Sequence, residues 1–96
     1  MENCIFCKII KGELPSYKIN ETKLFFTFLS IKPIKKGHLL IIPKVHVDDF
    51  FDMDKVLLQQ ILIYAEKVSS ALKKAFKPKS GKVGLIVAGL EIPHAH

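Results

Sequence analysis

This sequence predicts an α+β domain, and three observations carry that expectation. Short apolar stretches broken by Pro15, Pro33, Gly37 and Pro43 fill the first half of the chain, as strands and turns would. A single long run, from about residue 54 to 76, instead repeats its large apolar side chains every three or four positions. The 96 residues contain no linker or repeat and suit one core, so residues 1–96 are read as a single domain.

The elements follow in order. In CIFCKIIKG, Ile5, Phe6, Ile9 and Ile10 have helical spacing and Gly12 supplies a stop, which predicts a short N-terminal helix. After Pro15 the pattern changes: residues 17–20 and 24–29 read as strands joined through Asn20, Glu21 and Thr22. Pro33 and Gly37 punctuate the next connection. Residues 38–42 read as a third, buried strand, which Pro43 ends. The long helix presents Leu57, Ile61, Ala65, Val68, Leu72 and Phe76 as one stripe; Asp52 or Asp54 can cap it, and Pro78 forbids its continuation. Packed on a sheet, each large apolar side chain of that stripe contributes roughly 1.5–3 kcal/mol before entropy is subtracted. GKVGLIVAG, residues 81–89, gives a further strand, and EIPHAH begins one that stays incomplete. The helices are expected on one side of the resulting antiparallel sheet.

Composition narrows the function. Hydrophobic residues make up 49% of the chain, which argues against disorder. No apolar run approaches a membrane span, and MENCIFCKII lacks the basic start, apolar stretch and small-residue cleavage site of a signal peptide, so a cytoplasmic location is expected. The formal charge is +6, and every basic residue is lysine. That excess favours phosphate-bearing partners in general. Nucleic acid is not the expected one, because the lysines are interleaved with Glu21, Asp48 and Glu66, and the densest run, KPIKKGH, has no aromatic residue.

The chemistry concentrates in cysteine and histidine. Cys4 and Cys7, at C-x-x-C spacing, read as a redox pair, as a zinc half-site or as small apolar residues. A thioredoxin-like pair opens a helix that follows a strand, and no strand precedes this one, which favours zinc over redox. A tetrahedral site then needs two more ligands, drawn from His38, His46, His94 and His96. In an extended PHAH segment, His94 and His96 share a face and Ala95 points the other way.

ENCIFCKIIKGELPS, KKGHLLIIPKVHVDDF and EIPHAH, in this order, closely resemble the histidine triad (HIT) family of nucleotide-binding hydrolases and transferases related to the nucleoside phosphoramidases. The resemblance covers nearly the whole chain. It implies a HIT-like fold, a homodimer, and attack on the α-phosphate of nucleoside phosphoramidates or dinucleotides through a nucleotidyl-histidine intermediate. The family signature is His-x-His-x-His. His94 and His96 supply its first two members, so the resemblance implies a domain truncated at its C-terminus relative to the family.

The middle histidine is the family's nucleophile, which maps to His96, and His38 corresponds to a histidine that in many relatives lies at the active site. Zinc-binding relatives map their ligands onto Cys4, Cys7, His46 and His94. Nucleotide contacts map to Ser30, Ile31, Gly89 and Glu91, with two departures. Many relatives carry aspartate where this chain has Ser30, and many carry Gly-Gln-Ser/Thr where it has Gly89, Leu90 and Glu91. A carboxylate beside phosphate is repulsive. These departures and the missing third histidine support an alternative, a zinc-stabilised nucleotide-binding module with little or no catalysis.

Overall fold

Cys4 opens the first helix by capping it. In the computed structural model, which describes residues 4–88, 90 and 92–96, its Sγ accepts a hydrogen bond from Cys7 N at 3.3 Å, and α1 runs Ile5–Ile10. Gly12, at φ 80°, then turns the chain away in the left-handed region that glycine enters without a Cβ penalty.

Three antiparallel strands follow, β1 (Lys18–Glu21), β2 (Phe25–Leu29) and β3 (Leu39–Pro43), in the order β1-β2-β3. The β2–β3 register is regular, from Phe25 opposite Pro43 to Leu29 opposite Leu39. On the other side β1 bulges between Lys18 and Asn20, and all four of its residues are exposed. Tyr17 lies just outside β1, although its carbonyl accepts from Leu29 N at 3.0 Å.

Strand β2 explains the layering. Phe25, Phe26, Thr27 and Phe28 are all buried, as happens in a strand covered on both faces. Phe26 and Phe28 pack with Ile42, Leu40 and Phe6 of α1. On the opposite face Phe25 packs with Ile41, Met53, Leu57 and Ile61. The helices therefore sit on opposite faces of the sheet, not on one side. The apolar run FFTFL, which does not alternate, is the signal for two covered faces. Its one polar member is satisfied: Thr27 Oγ1 and the Tyr64 hydroxyl share a 2.7 Å hydrogen bond, and Asn20 Nδ2 donates to the same hydroxyl at 3.0 Å.

Helix α2 spans Lys55–Phe76, after a 3-10 turn at Phe50–Asp52. Of its two candidate caps Asp54 serves, its Oδ1 accepting from Leu57 N at 2.8 Å; Asp52 belongs to the preceding turn. At the other end Lys77 takes a left-handed φ of 46° and bonds back to Lys73 O. Leu57 and Ile61 are buried, but Ala65, Val68 and Leu72 are half-buried and Phe76 is exposed. The helix is about 33 Å long, roughly twice the length of a five-residue strand. Its second half therefore outruns the sheet.

The expected strand over residues 81–89 is not formed in residues 82–88, and Gly89 lies outside the described residues. Ala88 N donates to His96 O at 2.8 Å and His96 N to Ala88 O at 3.3 Å. A ladder needs a row of such pairs, and among the described residues this segment makes one. The incomplete last strand is accordingly a bent segment, with His94 N donating to Ile92 O at 2.7 Å, and it is anchored at Ala88 and at Val47, whose carbonyl accepts from Ala95 N at 2.6 Å.

Ala95 is fully buried with Phe25, Leu57 and Ile61, whereas His94 and His96 contact Phe6 of α1. The alternation expected of PHAH holds, and Ala95 fills the space against α2. Ala95→Leu is expected to cost about 1–3 kcal/mol by overpacking. Urea denaturation measures it, and an unchanged midpoint would remove this packing constraint. Among the described residues no helix is long and apolar enough to cross a membrane.

Candidate active site and metal centre

Four ligand atoms, one each from Cys4, Cys7, His46 and His94, lie within 4.8 Å of one another. Helix α1 and its cap bring the two thiols together. The turn after β3 brings His46, and the bend at residues 92–94 brings His94. Cys4 Sγ is 3.3 Å from His94 Nδ1, Cys7 Sγ is 3.1 Å from His46 Nδ1, and Cys7 Sγ is 3.5 Å from His94 Nδ1. A tetrahedral ion with two sulfur and two nitrogen ligands has edges of about 3.4–3.8 Å. The three short edges would open by a few tenths of an ångström around a metal ion, and all four atoms already lie within 4.8 Å of one another.

Its protonation suits that role. His94 Nε2 lies 2.8 Å from Pro43 O, and a carbonyl only accepts, so the ring proton is on Nε2 and Nδ1 has its lone pair free. Burial is the main cause that pushes the His94 pKa below its ordinary 6.5, which keeps the ring neutral; the Pro43 carbonyl opposes this and His46 and His96 add to it. Burial also pushes the Cys7 thiol up, helped by its contact with Cys4. A thiol held neutral in this way becomes a ligand when a cation displaces its proton.

Two residues beyond His94, His96 is differently placed. Its Nδ1 is 2.9 Å from the carbonyl oxygen of His94. That carbonyl fixes the proton on Nδ1 and leaves Nε2 with its lone pair. Phe6 meets the ring edge to face, with centroids 4.9 Å apart, and makes the same kind of contact with His94 at 5.9 Å and Phe28 at 5.6 Å. Phe6 is the residue that sequence reasoning missed as part of the site. It reads as helix core, although its place between the two cysteines was a usable signal.

The other expected site residues gather elsewhere. Ser30 N donates to His38 O at 2.9 Å, so these two and Ile31 lie at the end of the β2–β3 hairpin. The Ser30 hydroxyl accepts from Lys32 N at 3.2 Å, and Ile31 is 81% exposed. His38 Nδ1 accepts from Ile34 N at 3.2 Å, which places its proton on Nε2 as an available donor. Gly89 and Glu91 lie outside the described residues.

Fold and site together define a small α+β protein that sets a further histidine, His96, beside a Cys₂His₂ cluster. Residues 11–96 match the HIT domain, and the chain belongs to the HIT family. It is 40% identical over 96 residues to adenosine 5'-monophosphoramidase HNT1 of Saccharomyces cerevisiae, an alignment covering 97% of this chain and 58% of that protein. Among solved structures it resembles a HIT family protein from Bacillus anthracis, with TM-score 0.90 and 36% identity over 99% of this chain and 70% of that one. A Zn-bound histidine triad family protein from Mycobacterium smegmatis is also similar, with TM-score 0.88 and 25% identity over 99% of this chain and 71% of that one. The chain spans between 47% and 74% of the length of the curated relatives it matches.

Proposed function

We propose that the protein is a nucleotide hydrolase or transferase that cleaves at the α-phosphate of nucleoside phosphoramidates or dinucleotides, with His96 as nucleophile. The observation that carries this reading is the 2.9 Å hydrogen bond from His96 Nδ1 to the His94 carbonyl, which leaves Nε2 unprotonated for attack. Nε2 donates its lone pair to the α-phosphorus, an N–P bond forms, and the bond to the amine or phosphate leaving group breaks, an amine taking up a proton from solvent water as it departs, which the water of the second step returns. Water then attacks phosphorus, the histidine–phosphorus bond breaks, and the nucleoside monophosphate departs. His38, with its proton on Nε2, is assigned as a donor to the substrate, and Ser30, Ile31, Gly89 and Glu91 as nucleotide contacts. The name of the yeast relative supports a phosphoramidate substrate.

Zinc is the assigned occupant of the Cys4, Cys7, His46 and His94 cluster. Two thiolates and two imidazoles are a zinc ligand set, and the mycobacterial neighbour is described as Zn-bound. Zinc there fastens the fold; the reacting group is His96. We also assign a cytoplasmic location, on the free cysteines, and a homodimer in which a second copy covers Leu85, Ile86 and Val87, exposed by 63, 72 and 46%. Sedimentation equilibrium returning only monomer would contradict the dimer.

The Ser30 hydroxyl, engaged in its own turn, favours the alternative of a binding module that does not turn over. Intermediate trapping decides between them. The chain and a form extended to a third histidine two residues beyond His96 are mixed with an adenosine phosphoramidate, quenched and digested. A nucleotidyl adduct on the peptide containing His96 is expected in the extended form. Bound nucleotide with neither adduct nor amine release would establish the binding module instead.

A further inference from the structure

Two segments distant in sequence meet where the Phe76 ring lies against Gly37, close enough that a Cβ on Gly37 would stand 3.1 Å from ring carbons. Residues 30–38 carry Lys32, Lys35 and Lys36; residues 71–82 carry Lys73, Lys74, Lys77, Lys79 and Lys82. Neither segment contains an acidic residue. Eight of the 15 lysines and none of the 9 acidic residues lie here, so the formal charge is +8 on these segments and −2 over the rest of the chain. All eight side chains belong to exposed residues. Among the described residues the ion pairs join Lys18 and Lys44 to Glu21, and none of the eight pairs with a described acidic residue. Apolar side chains stand among the charges: Ile31, Ile34 and Phe76 are 81, 74 and 43% exposed.

We propose that this end of the molecule docks on an anionic lipid surface. The ammonium of lysine is a point charge on a flexible stem, suited to mobile phosphates approached from any direction. Isoleucines beside such lysines find a partner at the boundary between headgroups and acyl chains, where basic and apolar residues bind together. Against the phosphates of nucleic acid the same isoleucines would stay in water. This surface also lacks arginine forks for base edges, and its one aromatic ring is turned onto Gly37. The proposal goes beyond the catalytic reading; it shares Ile31 with the nucleotide contacts assigned above, so its test is placed on Ile34 and on lysines outside those contacts.

The test is co-sedimentation of the protein with vesicles of phosphatidylglycerol and phosphatidylcholine, against vesicles of phosphatidylcholine alone. Wild type is expected to bind the anionic vesicles at least about tenfold better, with binding lost as salt approaches about 1 M. Lys35→Glu/Lys74→Glu should abolish binding, while Lys23→Glu/Lys55→Glu, which changes net charge equally outside the patch, should retain most of it. Ile34→Ser should weaken binding by about threefold or more. Circular dichroism checks that each variant is folded. Equal loss in both double variants, full binding by Ile34→Ser, or release from the vesicles by an RNA homopolymer at matched phosphate concentration would each overturn the lipid assignment.

Discussion

Stripping zinc with a strong chelator is expected to unfold the domain, with an apparent loss on the order of 10 kcal/mol, comparable to the whole stability of a typical small domain. The four proposed ligands come from the α1 cap, α1 itself, the turn after β3 and the C-terminal stretch. Cys4 and Cys7 also belong to the core that joins α1 to β2 and β3. Without the ion, those segments are left with S–H to nitrogen contacts of 3.1–3.5 Å, which are weak bonds. Cys7→Ser is expected to act in the same direction. Acid should too. The folded state depresses the His94 pKa from 6.5, so the stability from that group is complete above the unfolded value and is lost as the pH falls through the folded one. Elemental analysis should find one zinc per chain, and melting should shift sharply with chelator and fall as the pH drops below the ordinary histidine value of 6.5. Protein that melts at the same temperature with and without chelator would remove the structural metal from this account.

His96→Ala is expected to lower kcat/KM for an adenosine phosphoramidate by at least about a thousandfold, with nucleotide affinity changed by less than about threefold. The asymmetry follows from where the ring sits. His96 is half-buried and hydrogen bonds through Nδ1 to a carbonyl two residues back, so its removal leaves the cluster intact. His94→Ala, by contrast, removes a buried ligand and orphans the Pro43 carbonyl, and should lose both metal and fold. Amine release measures the first effect and zinc content separates the two variants. Undiminished turnover in His96→Ala would remove His96 from the mechanism.

Much of this was legible in the chain because it depends on local spacing. The three-and-four repeat from Leu57 onward locates α2, Pro78 marks its end, and C-x-x-C with PHAH locates the cluster. What was hidden depends on partners distant in sequence. GKVGLIVAG reads as a strand because valine and isoleucine favour strands, yet a strand exists only where another pairs with it, and residues 82–88 meet one partner pair. The two-sided burial of FFTFL needed both helices placed before it could be recognised. The lysines look evenly mixed with acids along the chain, and only the contact between Gly37 and Phe76 sorts them into one end. Proton positions on His38, His94 and His96 were equally hidden, since each follows from a backbone group that only the fold supplies.

Cys4 and His94 meet across 90 positions of chain, and that span has a consequence for the order of events as the protein is made. The helix that carries the cysteine pair has six residues, too short to persist in water by itself. It has nothing to fold against until the sheet forms, and the proposed metal half-site cannot close until the segment carrying His94 arrives. Closing so long a loop carries an entropic cost that grows only slowly with length, so a strongly held ion easily outweighs it. On the proposed zinc assignment, capture waits until the segment carrying His94, 90 positions after Cys4, has been made, and a nascent chain interrupted before His94 is left with a bare thiol pair open to oxidation.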